Sequence, residues 1–246
     1  VERFVLRRAD LVAGANQDNL AYAIANGARP EASTIFRYGN LIDKQHFEDP
    51  GIRPDCRSWL DELGIEPNRF LLYIGRLEKV KHPDHVVRVL SEIRKRGHNV
   101  KVILAGDGQL REYLYKLARE LDVEDQVIFC GNVNQQCLAR IIPFAAVVVS
   151  PHTGRALSEA ALGAAPIVAY DVDWQNELVE TKVTGELVPH LDLNQMVDAV
   201  DRFLSDPAYA RAMGNAIRRR AFGLMDPVKL DQHEREQYMA LLKRMG

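Results

Sequence analysis

Two stretches of this chain have the residue types and spacing to handle a phosphorylated ligand. The first is Gly75-Arg76-Leu77-Glu78-Lys79-Val80-Lys81-His82, which directly follows a continuous apolar run. Gly75 lets backbone approach a ligand, and Arg76 and Lys81 are close enough in sequence to clamp a diphosphate. A solvated charged loop would show the same local pattern. The second is Val147–Tyr170, VVVSPHTGRALSEAALGAAPIVAY. It reads as a buried strand, a polar turn with Gly154, a short helix carrying Glu159, and a second buried strand. Such a corner turns free backbone N–H groups and the positive end of a helix dipole onto one spot. Glu159 sits among Ala156, Leu157, Ala160 and Ala161. A carboxylate in apolar company needs a hydrogen-bonding partner, so one is expected.

Other candidates are weaker. Gly106-Asp107-Gly108 has the form of an opening dinucleotide fingerprint, but Arg111 stands where the third glycine belongs. No acidic residue closes a strand about twenty residues on, where the ribose of a nicotinamide cofactor is usually held. Asp171-Val172-Asp173 could hold a divalent cation between phosphates, although no third ligand is apparent nearby. His82 and His85 lie at a helix start and are expected to be exposed, with too few neighbouring ligands for zinc. No metal site and no cofactor are expected from these patterns.

The elements that must position these residues follow from hydrophobic patterning. Phe70–Ile74, Val100–Ala105, Val127–Cys130, Ala146–Val149 and Ile167–Tyr170 are apolar runs of the kind found in strands covered on both faces. Between them lie helical patterns. One carries Val86, Val87, Leu90 and Ile93 on a single stripe, and others span 110–121, 134–142 and 155–163. Asp192 and Gln195 form a capping box before a helix with Met196, Val197, Val200, Phe203 and Leu204. Helices at 207–223 and 227–244 close the chain. This alternation predicts an α/β fold with a doubly wound parallel sheet, in which ligands sit beyond the carboxyl ends of the strands.

Upstream, residues 1–38 read as helix, strand, helix (ended near Asn26-Gly27) and strand, too little to close a core. This piece is expected to be the remnant of a preceding domain. Residues 39–69, broken by Pro50, Gly51, Pro54, Gly64 and Pro67, read as an interdomain linker with a short helix around Trp59–Leu63. The expected division is therefore 1–38, linker 39–69, a ligand-binding domain 70–225 and a terminal helix 226–246.

Composition narrows the partners. The chain has 246 residues, of which 27% are charged, and its formal net charge is −2. That balance argues against a nucleic-acid binder, which would neutralise phosphates with a basic face. Cys56, Cys130 and Cys137 have no metal-like or redox spacing, and an odd number makes a poor disulfide framework. A cytoplasmic location is expected, since no apolar run could span a bilayer and no signal peptide opens the sequence.

Taken together, the motifs resemble the C-terminal, nucleotide-sugar-binding domain of family 4 retaining glycosyltransferases, which have the GT-B fold. The family's G-R-L-x-x-x-K is matched by Gly75-Arg76-Leu77 and Lys81, and its glycine-aspartate-glycine by Gly106–Gly108. Phe129-Cys130-Gly131, Pro166-Ile167-Val168, and Glu177 followed by Thr184-Gly185-Glu186-Leu187-Val188 match later motifs in order. Asp43 and Phe47 resemble the entry to the linker. The resemblance covers about residues 70–225, and weakly 1–47.

By that resemblance, Arg76 and Lys81 are the catalytic cations that stabilise charge on a leaving nucleoside diphosphate. Gly75, His152, Thr153, Gly154, Arg155 and Ala156 would surround the phosphates or the sugar, and Glu159 would hold the ribose hydroxyls. The backbone near Val133 would meet the base. The implied substrate is a UDP- or GDP-linked sugar, transferred with retention and without a metal. The implied acceptor is a glycan or lipid-linked glycan, with peripheral membrane contact open through the preceding domain. The chain departs from the family at its first glutamate, eight positions before the second, where Pro151 stands. His152 and Thr153 replace a glycine and an aromatic, and Asp173-Trp174 replaces a glycine pair.

Overall fold

The computed structural model describes residues 2–37, 57–152 and 154–245. The expectations placed on Tyr38, the Asp43–Phe47 motif, Cys56 and Thr153 lie outside them. The chain divides into two compact units, 1–42 with 222–246, and 43–221.

In the smaller unit, α1 (Glu2–Leu6), β1 (Val12–Gly14), α2 (Gln17–Ala25) and β2 (Ser33–Ile35) follow in order. The two strands pair in parallel. Asn16 starts α2 by accepting the N–H of Asn19 at 2.8 Å, one of the donors that a helix start leaves unpaired. At the other end the chain turns at Gly27 with φ 108°, a conformation that favours glycine. The terminal helix belongs to this unit, with His233 Nε2 2.9 Å from the Thr34 hydroxyl and Tyr238 against Phe36 at 5.7 Å.

The larger unit begins with α3 (Arg57–Glu62) and continues β3 (Phe70–Ile74), α4 (Pro83–Lys95), β4 (Lys101–Ala105), α5 (Arg111–Glu120), β5 (Val127–Gly131) and α6 (Gln135–Ile141). Then come β6 (Val147–Ser150), α7 (Arg155–Leu162), β7 (Ile167–Asp171), α8 (Gln175–Leu178), β8 (Glu186–Pro189), α9 (Leu193–Ser205) and α10 (Pro207–Leu224). The terminal helix of the smaller unit is α11 (Pro227–Met245). Six parallel strands form one sheet in the order β5-β4-β3-β6-β7-β8. The sheet therefore winds outward from β3 in one direction and from β6 in the other. The switch point falls between these two neighbours, the crevice where open α/β sheets bind ligands.

Burial explains why the apolar runs were readable. Every residue of β3 and of β6 is buried, because helices cover both faces of the sheet. Val86, Val87, Leu90 and Ile93 of α4 join the core, as do Met196, Val197, Val200 and Phe203 of α9. Asp192 caps α9 by accepting the N–H of Gln195 at 3.0 Å. Gln195 reaches back to the Asp192 carboxylate rather than to its N–H, so only half of the predicted capping box forms.

One expectation needs adjusting. Residues 57–69, read as the end of a linker, belong to the larger unit. Leu60 and Ile65 are buried, Asn68 N–H donates to the Phe144 carbonyl at 2.7 Å, and Lys101 Nζ donates to the Gly64 carbonyl at 2.9 Å. Gly and Pro punctuate this segment without detaching it.

Candidate functional site

At the switch point the loops after β3 and β6 face a cavity of about 480 Å³, within the range of small-molecule sites. Gly75, Arg76 and Lys81 line it from the first loop, and Gly154, Arg155, Ala156 and Glu159 from the second loop and α7. Val133, with Asn132 and Asn134, contributes from the loop after β5, and Gln135 from the start of α6. Eight of the ten residues singled out from the sequence thus meet around one space. His152 does not line it, and Thr153 lies outside the described residues.

The first loop is held by backbone. Gly75 N–H donates to Ala105 at 3.0 Å, Leu77 N–H to Asp107 at 2.9 Å, and Leu110 N–H to Leu77 at 2.9 Å. A Cβ on Gly106 would stand 1.9 Å from the Gly75 carbonyl oxygen, so only glycine allows the two loops to lie this close. The resemblance of Gly106–Gly108 to a dinucleotide fingerprint therefore has another cause here: these glycines dock one loop on another. Tyr73, fully buried beneath, donates its hydroxyl to the Arg76 carbonyl at 2.8 Å, and burial pushes its phenol well above the usual range.

The two cations differ. Arg76 is largely exposed and pairs with Glu78 at 2.9 Å. Lys81 is half-buried, and its Nζ lies 3.9 Å from where a Cβ on Gly154 would stand, beside the start of α7. Burial lowers its pKa, as does the nearby Arg76, against the opposing pull of Asp173 and Glu78. A lysine in this position gains from an anion. Gly154 starts α7 with φ 64° and ψ −128°, and Arg155 and Ala156 at the helix start line the cavity, where the leading N–H groups lack intrahelical acceptors.

Glu159 is buried at 3% exposure, and its expected partner is Gln135, whose Nε2 donates to Oε1 at 2.9 Å. Arg155 Nε stands 4.0 Å away. Burial raises the Glu159 pKa, only partly offset by the Gln135 hydrogen bond and Arg155. A raised folded-state pKa means that the folded chain holds this proton more tightly than the unfolded chain. Stability is therefore expected to fall as pH rises from the usual carboxylate range through the raised value. Glu159→Gln should flatten that part of the profile, since its amide oxygen can still accept from Gln135. Denaturant midpoints of both proteins from about pH 4 to 8 check this, and parallel profiles would contradict it.

Beyond β6 the polar turn is anchored from below. Gln175, wholly buried, accepts from the Ser150 hydroxyl at 2.9 Å. It donates to the carbonyls of Tyr170 at 2.8 Å and of Ser150 and Pro151, each at 3.3 Å. His152 turns away, with Nδ1 3.2 Å from the Val80 carbonyl and Nε2 3.7 Å from Asp173. Asp171 accepts from Asn176 at 3.2 Å, so the two carboxylates of the D-x-D motif have separate partners. His82 and His85, expected to be exposed, are half-buried instead. The backbone of α4 brings Asp84 beside them, a ligand group the sequence reading did not count. Cys130 is partly buried and its thiol is pushed up to about 11, away from a reactive range.

A doubly wound sheet with two cations, a helix start and a buried carboxylate at its switch point defines the class as an α/β domain with a cavity at the usual ligand position. The family of glycosyl transferases group 1 matches residues 57–220, and the chain belongs to that family. It is 28% identical over 190 residues to alpha-D-kanosaminyltransferase of Streptomyces kanamyceticus, covering 76% of this chain and 49% of that protein. It is 30% identical over 189 residues to a GDP-mannose-dependent alpha-(1-6)-phosphatidylinositol monomannoside mannosyltransferase of Mycobacterium tuberculosis, covering 72% and 48%. The crystal structure of Anabaena HepE in complex with UDP shares the fold, with a TM-score of 0.84 at 22% identity over 96% of this chain and 65% of that one. The chain spans about half the length of these curated relatives. Among the described residues, no helix is long and apolar enough to cross a membrane.

Proposed function

We propose that the protein to which this chain belongs transfers a glycosyl unit from a nucleoside-diphosphate sugar, UDP- or GDP-linked, to a glycan or lipid-linked acceptor. The observation that carries this reading is the convergence of Lys81, Arg76, the start of α7 and Glu159 on one cavity. The diphosphate lies between Lys81 and the α7 N-terminus, with Arg76 swinging in from Glu78. Glu159 accepts hydroxyls of the ribose, and the backbone around Val133 meets the base. These cations and N–H groups are aimed where negative charge develops as the donor breaks.

In the transfer, the bond from the anomeric carbon to the diphosphate oxygen breaks, and the acceptor oxygen bonds to that carbon on the same face. The acceptor hydroxyl gives up its proton to the departing phosphate oxygen. Configuration is thereby retained without the pair of flanking carboxylates that retaining glycosidases use. The nucleotide sugar is the only small molecule this scheme requires. A cytoplasmic location, with peripheral membrane contact for a lipid-linked acceptor, accompanies this reading.

Support comes from the family and from relatives whose names are those of glycosyltransferases. Pro151 favours a second reading, a module that binds the nucleotide sugar without turning it over, because proline supplies neither the carboxylate nor the N–H that the family's glutamate would. Calorimetry with UDP-, GDP- and ADP-sugars tests the shared premise. One donor class should bind, and binding by none of them would end both readings. Release of free nucleoside diphosphate by the full-length protein with acceptor separates transferase from binding module.

A further inference from the structure

Beside the cavity, at the start of α4, stand groups that the proposed transfer does not use. His82 ends the short turn 79–81 and opens α4 with φ 50° and ψ 45°, a left-handed conformation unusual for a side chain with a Cβ. The ring of His85 stands 5.1 Å from that of His82. His82, Asp84 and His85 each offer one ligand atom, and these atoms all lie within 4.8 Å of one another. From the loop after β8, the ring of His190 lies 5.9 Å from that of His82.

His85 is held as a metal ligand would be. Its Nδ1 is 2.7 Å from the hydroxyl of Tyr170, which is fully buried in β7. Its other nitrogen, Nε2, faces Asp84 Oδ2 at 4.0 Å. In the tautomer whose Nδ1–H donates to the Tyr170 hydroxyl, Nε2 presents its lone pair in a set direction. The His85 and Asp84 side chains are 18% and 23% exposed, shielded enough to limit competition from water yet open to an entering ion.

We propose that His82, Asp84 and His85 form a three-ligand site for a divalent transition-metal cation of the zinc class, its fourth position taken by water or, after a side-chain shift, by His190. Imidazole nitrogens with one carboxylate suit zinc, which takes four ligands at about 2.0–2.2 Å. Donor atoms around such an ion stand about 3.3 Å apart, so the observed group closes by side-chain adjustment of roughly 1 Å or slightly more. Two imidazole nitrogens beside a single carboxylate favour such an ion over calcium and magnesium, which take oxygen ligands. Arg88 is the cation facing His85 and opposes an incoming ion, and Asp84 offsets it.

The site is no part of the transfer chemistry and stands whether or not the chain binds a nucleotide sugar. Its occupant would pin the left-handed turn at His82 to the first turn of α4. Lys81 immediately precedes His82, so the pin would fix the segment that carries Lys81.

The test is titration of Co²⁺ into the unaltered chain after treatment with a chelator, followed by displacement with Zn²⁺. One equivalent of Co²⁺ should give the visible spectrum of a four-coordinate ion, and Zn²⁺ should abolish it. His82→Ala and His85→Ala should each weaken Zn²⁺ binding at least tenfold. Tyr170→Phe, which keeps the packing and removes only the hydrogen bond, should weaken it about tenfold. His98→Ala, whose histidine pairs with Asp201 elsewhere, should leave it unchanged. Failure to form a one-equivalent complex, or unchanged affinity in both His82→Ala and His85→Ala, overturns the site. The first measurement needs no variant, so a variant that fails to fold leaves the answer intact.

Discussion

Gly106→Ala is expected to destabilise the larger unit by about 4 kcal/mol or more, the range reached only by severe backbone or core disruption. The new Cβ would meet two backbone atoms, the Gly75 oxygen at 1.9 Å and its carbon at 2.8 Å. Backbone cannot rotate aside as a flexible side chain does. The partner loop is also tethered through Gly75 to Ala105 and through Leu77 to Asp107, so moving it breaks hydrogen bonds. Residue 106 has φ 154°, which adds conformational strain for alanine. Gly97→Ala is the matched comparison. Its φ is 93°, but nothing lies within 4 Å of the added carbon, so it should cost only about 1–2 kcal/mol. Urea unfolding of both variants decides the matter, and equal losses would refute the close-approach argument.

The second large effect concerns donor binding. Lys81→Ala should weaken nucleotide-sugar affinity by about 1.5–3 kcal/mol, the usual range for a lost charge-assisted contact. That corresponds to roughly 10- to 150-fold in Kd. Arg76→Ala should cost less. Arg76 is 69% exposed and must leave Glu78 to meet a phosphate, so its gain is screened by water and partly cancelled. Lys81 is half-buried beside the start of α7, with no such partner to abandon among the contacts described. Titration of both variants with the donor that the parent chain binds gives the ranking. A larger loss at Arg76 would place the diphosphate nearer the outer rim than proposed.

Much of the larger unit was readable because its strands are buried on both faces and so carry unbroken apolar runs. Phe70–Ile74 and Ile167–Tyr170 are clear cases, the second extending only by Asp171. The loop residues were found by where they follow such runs, since strand ends in a parallel sheet share one edge. The unreadable features depend on side chains meeting from separate βα units. Gln135 reaches Glu159 from the start of α6, Gln175 reaches three carbonyls at the ends of β6 and β7, and His190 comes to His82 from the loop after β8. One sequence gives no sign of these pairings, because periodicity reports which face is buried and not what is opposite. Residues 57–69 were misjudged for a related reason. Gly64 and Pro67 break local regularity, while the contacts that anchor the segment lie tens of residues away at Lys101 and Phe144.

The interlocked loops after β3 and β4 have a kinetic consequence. A segment fixed at Gly75, Leu77 and Leu110 by main-chain bonds, with Tyr73 holding the Arg76 carbonyl, has little freedom left to lose when a ligand arrives. Its share of the binding entropy is spent during folding, so this half of the cavity is a rigid receptor rather than a closing flap. Association with a phosphorylated ligand on this side should therefore be governed by diffusion and charge. Any slow conformational step in binding then belongs to other parts of the site.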